Sequence, residues 1–165
     1  MSIELILVAE AEKDRLASLV NDYLVGHCRH QENSVGPRVV GEYVYYPAYW
    51  REKGRYPYFI KTKATVIGFV LVRTVYRNSD YFYQVSDFYI KPEFEGRGYG
   101  TQAIAALWAE YPGRWELQVL RRNLRARHFW ARCIEKFARG GCRINEVELA
   151  DGKRYQYNFV VAASA

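Results

Sequence analysis

Three glycines at alternate positions in Glu95-Gly96-Arg97-Gly98-Tyr99-Gly100-Thr101 constrain this chain more than any other feature, because of what stands on either side of them. Glycine tolerates positive φ, so a GxGxG run bends the backbone until consecutive N–H groups point into one concavity. A helix that starts there adds its unpaired N–H groups and the positive end of its dipole. Such a turn holds phosphate without any cationic side chain. Glycine-rich turns are also plain strand-to-helix connections, so the neighbours decide between the two readings.

Upstream, Tyr81 to Ile90 (YFYQVSDFYI) is dense in aromatic and branched residues and ends at Lys91-Pro92, as a strand does on leaving a sheet. Downstream, a helix is expected from Gly100, with Ile104, Leu107, Trp108 and Tyr111 at helical spacing until Pro112-Gly113 stops it. Trp115 to Leu120 then alternates as a strand. A second helix carries Ala126, Phe129, Trp130, Cys133, Ile134 and Phe137 on one apolar stripe, with Asn123 as its N-cap. A dinucleotide-binding fold wants GxGxxG early in the chain with an acidic residue about 20 positions on, and a P-loop needs Lys before the Thr. This chain has GxGxG past its midpoint and Gly100 before Thr101, so both are disfavoured.

The segment IKPEFEGRGYGTQAIAAL is similar to a cofactor signature Q/RxxGxG/A, and RWELQVLRRNLRARHFW, some way downstream, is similar to a strand, Asn, AxxFY/W segment. On these two motifs in order, which cover residues 81 to 138, the chain resembles the GNAT superfamily of acetyl-CoA-dependent N-acyltransferases. The resemblance implies an α/β fold: a mixed, mostly antiparallel central sheet of six to seven strands, flanked by helices and splayed near the cofactor site. It also implies acetyl-CoA as cosubstrate, no metal, and direct attack by a primary amine, from a small molecule or peptide, in a ternary complex. Backbone N–H groups of Arg97, Gly98, Tyr99, Gly100 and Thr101 would hold the pyrophosphate, with Gly96 shaping the turn. Phe88, Tyr89 and Ile90 would offer backbone groups to the pantetheine arm and acetyl carbonyl, and Asn123 would reach the pantetheine while capping its helix. Glu95 stands where the family has Gln or Arg, which leaves Arg97 to replace the charge. Trp130 stands where many relatives carry a Tyr that protonates the leaving thiolate; an indole has no acid to give at neutral pH, so Trp130 reads as core with a shaping contact to the thioester.

With 165 residues, half of them hydrophobic, the chain buries one core, and no Pro/Ser/Gly-rich linker divides it; one domain over 1–165 is expected. No apolar run reaches about 18 residues, and Met1-Ser2-Ile3-Glu4 lacks a basic start, so a cytoplasmic protein without membrane contact is expected, as monomer or homodimer. Cys28, Cys133 and Cys142 form no CxxC pattern and no disulfide framework. The net charge of +6 suits the phosphates of coenzyme A, and no nucleic-acid motif accompanies it.

The remaining elements are expected as a strand over Ser2 to Val8, a helix over Glu10 to Val25, a hairpin of Tyr58 to Lys61 with Val66 to Val75, and a terminal hairpin of Arg143 to Leu149 with Arg154 to Val161 around Asp151-Gly152. Residues 26 to 57 carry no clear periodicity. Their aromatic run Tyr43 to Trp50 reads as a substrate cage, a core plug or a dimer face.

Acetyl transfer to an ammonium requires a base. Asp87 interrupts an apolar, aromatic strand, so it is either solvated at a sheet face or a desolvated carboxylate of raised pKa suited to that work. Glu116, with Gln118 on the same strand face, is the rival, and a water chain ending on a tyrosine is a third route. Cys133 reads as core, and His27, Cys28 and His30 as a helix C-terminus rather than a metal site. The alternative function is an acyl-CoA-binding sensor without turnover, motivated by Trp130 and by the choice of bases.

Overall fold

Short turns of positive φ organise the first half of the sheet. Lys63, at φ 52°, closes one hairpin, and Asn78 and Ser79, at φ 52° and 66°, close the next in the pair of left-handed conformations that a twisted two-residue hairpin needs. The computed structural model describes residues 2–33 and 35–163; the expected single domain over 1–165 thus includes four residues outside that range. Its strands are β1 (Ile3–Leu7), β2 (Arg55–Thr62), β3 (Thr65–Arg77), β4 (Asp80–Ile90), β5 (Gly113–Leu120), β6 (Arg139–Leu149) and β7 (Gly152–Val161). They form one sheet in the order β1-β2-β3-β4-β5-β7-β6. All neighbours are antiparallel except β4 and β5, which run parallel.

Helices α2 (Tyr99–Glu110) and α3 (Leu124–Phe137) cover one face, and α1 (Lys13–Cys28) covers part of the other. Under α2 and α3 the core gathers Ile104, Leu107, Trp108, Trp115, Leu117 and Trp130; under α1 it gathers Leu16, Leu19, Val20, Phe59, Phe69 and Leu71. No helix among the described residues is long and apolar enough to cross a membrane.

Several boundaries differ from expectation for local reasons. The first helix begins as a 3-10 turn at Glu10–Glu12 and continues through Gly26 to Cys28. The second starts at Tyr99, because Gly98 at φ 82° serves as its N-cap. The terminal hairpin turns at Ala150 and Asp151, while Gly152 opens β7 at φ 126°, and β6 reaches back to Arg139 through an irregularity at Gly140 and Gly141. Residues 26 to 57 hold 3-10 turns at Val40–Glu42 and Pro47–Trp50. Tyr46 and Tyr49 are buried against α1, and the Trp50 indole donates to the Val8 carbonyl at 2.9 Å, so this half of the aromatic run is a core plug.

Two irregularities position the site. β4 and β5 pair only from Tyr83–Val85 to Trp115–Leu117, and beyond that the strands splay. Between β3 and β4 the register skips Ser86, since Val72 faces Val85 but Leu71 faces Asp87. A bulge of one residue inverts the alternation. Val85 packs under α2 and α3, so an unbroken strand would send Asp87 there too; the skip turns it to the opposite face.

Candidate active site

The turn after β4 is open where an anion would approach. Gly96 and Gly98 adopt φ 74° and 82°, and beyond the adjoining residues no atom lies within 4 Å of where either Cβ would stand. The α2 ladder begins with the Gln102 N–H bonded to the Gly98 carbonyl at 3.1 Å, which leaves the N–H groups of Tyr99, Gly100 and Thr101 without an intrahelical acceptor. Glu95 does not point a free carboxylate at this concavity, because Arg125 from the first turn of α3 pairs with it at 2.6 Å. Arg97 lies over the Phe94 ring at 5.8 Å. Gly100 has a second duty: its Cβ would meet Phe129 Cε1 at 3.0 Å and Phe88 Cζ at 3.5 Å, so the glycine lets α2 close on α3.

The splay opens a narrow cleft of about 80 Å³ between the strands. On the α2/α3 side it is lined by Phe88, Asn123, Ala126 and Trp130, and on the other by Tyr23, His27, Asp87 and Gln118. The expected residues Phe88, Tyr89 and Ile90 point their side chains alternately into the two cores and have no β5 partner; of the three, Phe88 lines the cleft. Asn123 caps α3, its Oδ1 accepting from the Ala126 N–H at 3.1 Å, and also lines the cleft. Trp130 is 6% exposed, 5.3 Å from the Phe88 ring and 6.4 Å from Trp108, and is both core and cleft wall. Cys133 is buried beside Thr101, and burial pushes its thiol up to about 11, which removes it as a nucleophile at neutral pH. A larger hollow of about 340 Å³ lies between α3 and β6, away from the turn and the splay.

Asp87 lines the cleft on its α1 side. The Tyr43 hydroxyl donates to its Oδ2 at 3.1 Å, and Tyr23 of α1 also favours its ionised form. Burial raises its pKa to about 6, against the two tyrosines and the Arg154 charge, which favour the ionised form. The Tyr23 hydroxyl lies 3.2 Å from His27 Nδ1. His27 stays neutral, its pKa lowered to about 4 by burial and then by Arg154. Sequence reasoning missed Tyr23 and His27, although their spacing of four on one helix face was a usable signal. His27, Cys28 and His30 assemble no metal cluster among the described residues.

Glu116 is 7% exposed and shares the Asp87 face of the sheet, but lies in the paired part of β5, outside the cleft lining. Gln84 Nε2 donates to its Oε1 at 2.9 Å and Asn158 Nδ2 to its Oε2 at 3.3 Å.

Residues 29–133 match the Acetyltransferase (GNAT) family. No curated protein matches the chain. Among solved structures, an acetyltransferase from Thermus thermophilus is 16% identical with a TM-score of 0.66, covering 96% of each chain. The Microcin C7 self immunity acetyltransferase MccE, in complex with acetyl-CoA and AMP, is 18% identical with a TM-score of 0.66, covering 97% of this chain and 93% of its own. AAC(6')-Ib, in complex with ribostamycin and coenzyme A, is 18% identical with a TM-score of 0.67, covering 97% and 94%. At such identities the likeness is one of fold, and it extends over nearly the whole of each chain. The family match spans the turn, Asp87 and the cleft residues from Val85 to Trp130, and the chain belongs to the acetyltransferase (GNAT) family, which transfers acetyl groups from acetyl-CoA.

Proposed function

We propose that this chain, acting as one domain over 1–165, acetylates a primary amine by direct attack within a ternary complex, with Asp87 as the base. One observation carries the reading: a buried carboxylate lines the cleft where β4 and β5 part, across from Phe88, Ala126 and Trp130. The N–H groups of Arg97 to Thr101 hold the pyrophosphate, assisted by the Arg97 charge, and Gly96 gives the turn its shape. The unpaired backbone of Phe88 to Ile90 grips the pantetheine arm and polarises the acetyl carbonyl, while Asn123 and Trp130 confine the thioester.

The acceptor enters as an ammonium and gives one proton to Asp87, which with a pKa of about 6 is ionised at neutral pH and basic enough to take it. The freed lone pair attacks the carbonyl carbon, the C–N bond forms, and the tetrahedral intermediate collapses with loss of the C–S bond as the nitrogen sheds its second proton to water. The thiolate leaves unaided, since a thiol with a pKa of about 8.5 is a tolerable leaving group. Coenzyme A release in the presence of a panel of primary amines, but not without them, is the expected result. Tight acetyl-CoA binding with no release across the panel would favour the sensor reading.

A further inference from the structure

On the Asp87 face of the sheet, the polar side of the cleft continues into a directed chain of amides. Arg73 Nε donates to Gln84 Oε1 at 2.5 Å, and Gln84 Nε2 to Glu116 Oε1 at 2.9 Å. From the other side, Gln118 Nε2 donates to Gln156 Oε1 at 3.0 Å, Gln156 Nε2 to Asn158 Oδ1 at 3.3 Å, and Asn158 Nδ2 to Glu116 Oε2 at 3.3 Å. An amide has an acceptor end and a donor end, and either orientation fills the same space. Here the ends of the chain remove the choice. A guanidinium only donates and a carboxylate only accepts, so Gln84 must give its oxygen to Arg73 and its NH₂ to Glu116. Asn158 must give its NH₂ to Glu116, and its oxygen then accepts from Gln156. Gln156 in turn accepts from Gln118. The last member, Gln118, lines the cleft with Asp87, and its Oε1 takes no donor from the described residues.

We propose that Gln118 is the second acceptor for the attacking amine, its Oε1 held toward the cleft by an amide relay that the buried Glu116 carboxylate polarises. Glu116 is then a positioning residue and not the base. An ammonium has three donors: one proton goes to Asp87, and a second N–H donates a hydrogen bond to Gln118 Oε1, aiming the lone pair at the thioester. The inference rests on the amine-transfer reading.

Benzylamine, tyramine and a lysyl peptide give the test, with coenzyme A release as the signal. In Gln118→Met, and in the isosteric Glu116→Gln, KM for the amine should rise by about tenfold, as loss of a hydrogen bond to a charged group does. The acid limb of the rate profile, set by Asp87, and the affinity for acetyl-CoA should stay in place in both variants. A parental KM for the amine in variants that still bind acetyl-CoA, or loss of that binding in both, overturns the relay. Collapse of kcat with loss of the acid limb in Glu116→Gln makes Glu116 the base and also overturns it. No release with any amine overturns the amine-transfer reading, and the relay with it.

Discussion

Replacing Asp87 with Asn should slow the enzyme and stabilise the protein, and the structure sets both magnitudes. The carboxyl is lifted from its ordinary 3.8 to about 6, chiefly by burial. A folded-state pKa raised above the unfolded value means that the folded protein holds the proton more tightly. Its stabilising contribution is complete below about pH 3.8 and is lost as pH rises through about 6. At about 1.4 kcal/mol for each pH unit, ionised Asp87 burdens the fold by up to about 3 kcal/mol at pH 7. Asn carries no charge at any pH and still offers Tyr43 an acceptor, so Asp87→Asn should gain about 1–3 kcal/mol at pH 7. For a domain of this size that is a melting temperature several degrees higher, at about 2–4 °C per kcal/mol. Near pH 4 the two proteins should melt together, because Asp87 is protonated in the parent. The rate of acetyl transfer should fall by about two to four orders of magnitude with acetyl-CoA affinity retained. Scanning calorimetry at pH 4 and pH 7, beside coenzyme A release, measures both. A variant less stable than the parent at pH 7, or equally displaced at both pH values, would refute the burial argument, and a parental rate would refute the role as base.

Three further outcomes follow from named contacts. Tyr43→Phe removes a hydrogen bond that favours ionised Asp87, so the acid limb of the rate should move to higher pH, as read from kcat/KM between pH 5 and 8. Gly100→Val places a Cβ against the Phe129 ring, so it should cost about 1–3 kcal/mol in denaturant melts and also weaken acetyl-CoA binding by calorimetry; loss of binding at full stability would show that the ring contact is slack. Trp130→Ala should cost about 3–5 kcal/mol through the cavity left among Phe88, Trp108 and Phe129, whereas Trp130→Tyr should fold, with a faster kcat only if thiolate release needs an acid.

The cofactor half of the protein was legible because its signals are local. Gly96, Gly98 and Gly100 declare a turn, Asn123 declares a cap, and the stripe from Ala126 to Phe137 declares which side of α3 is buried. The acceptor half is written in long-range pairing. The skip at Ser86 that swings Asp87 across the sheet depends on how β3 meets β4, and no pattern within YFYQVSDFYI announces it. Gln84, Glu116, Gln118, Gln156 and Asn158 read singly as ordinary polar strand residues, and they become one chain only when β4, β5 and β7 are laid side by side. Tyr43 shows the same limit. Its aromatic run reads equally as plug or cage from sequence, whereas in the fold Tyr46 and Tyr49 plug the core, Tyr43 reaches Asp87, and Tyr45 stays 57% exposed beneath the Arg55 guanidinium.

Initial rates with acetyl-CoA and a primary amine varied together test the central claim most directly. Direct attack in a ternary complex requires both substrates bound before coenzyme A departs, so double-reciprocal lines should intersect and no acetyl group should be found on the protein after incubation with acetyl-CoA alone. Parallel lines, with an acetylated side chain detected by mass spectrometry, would mean that a residue of this chain carries the acetyl group and would contradict the account.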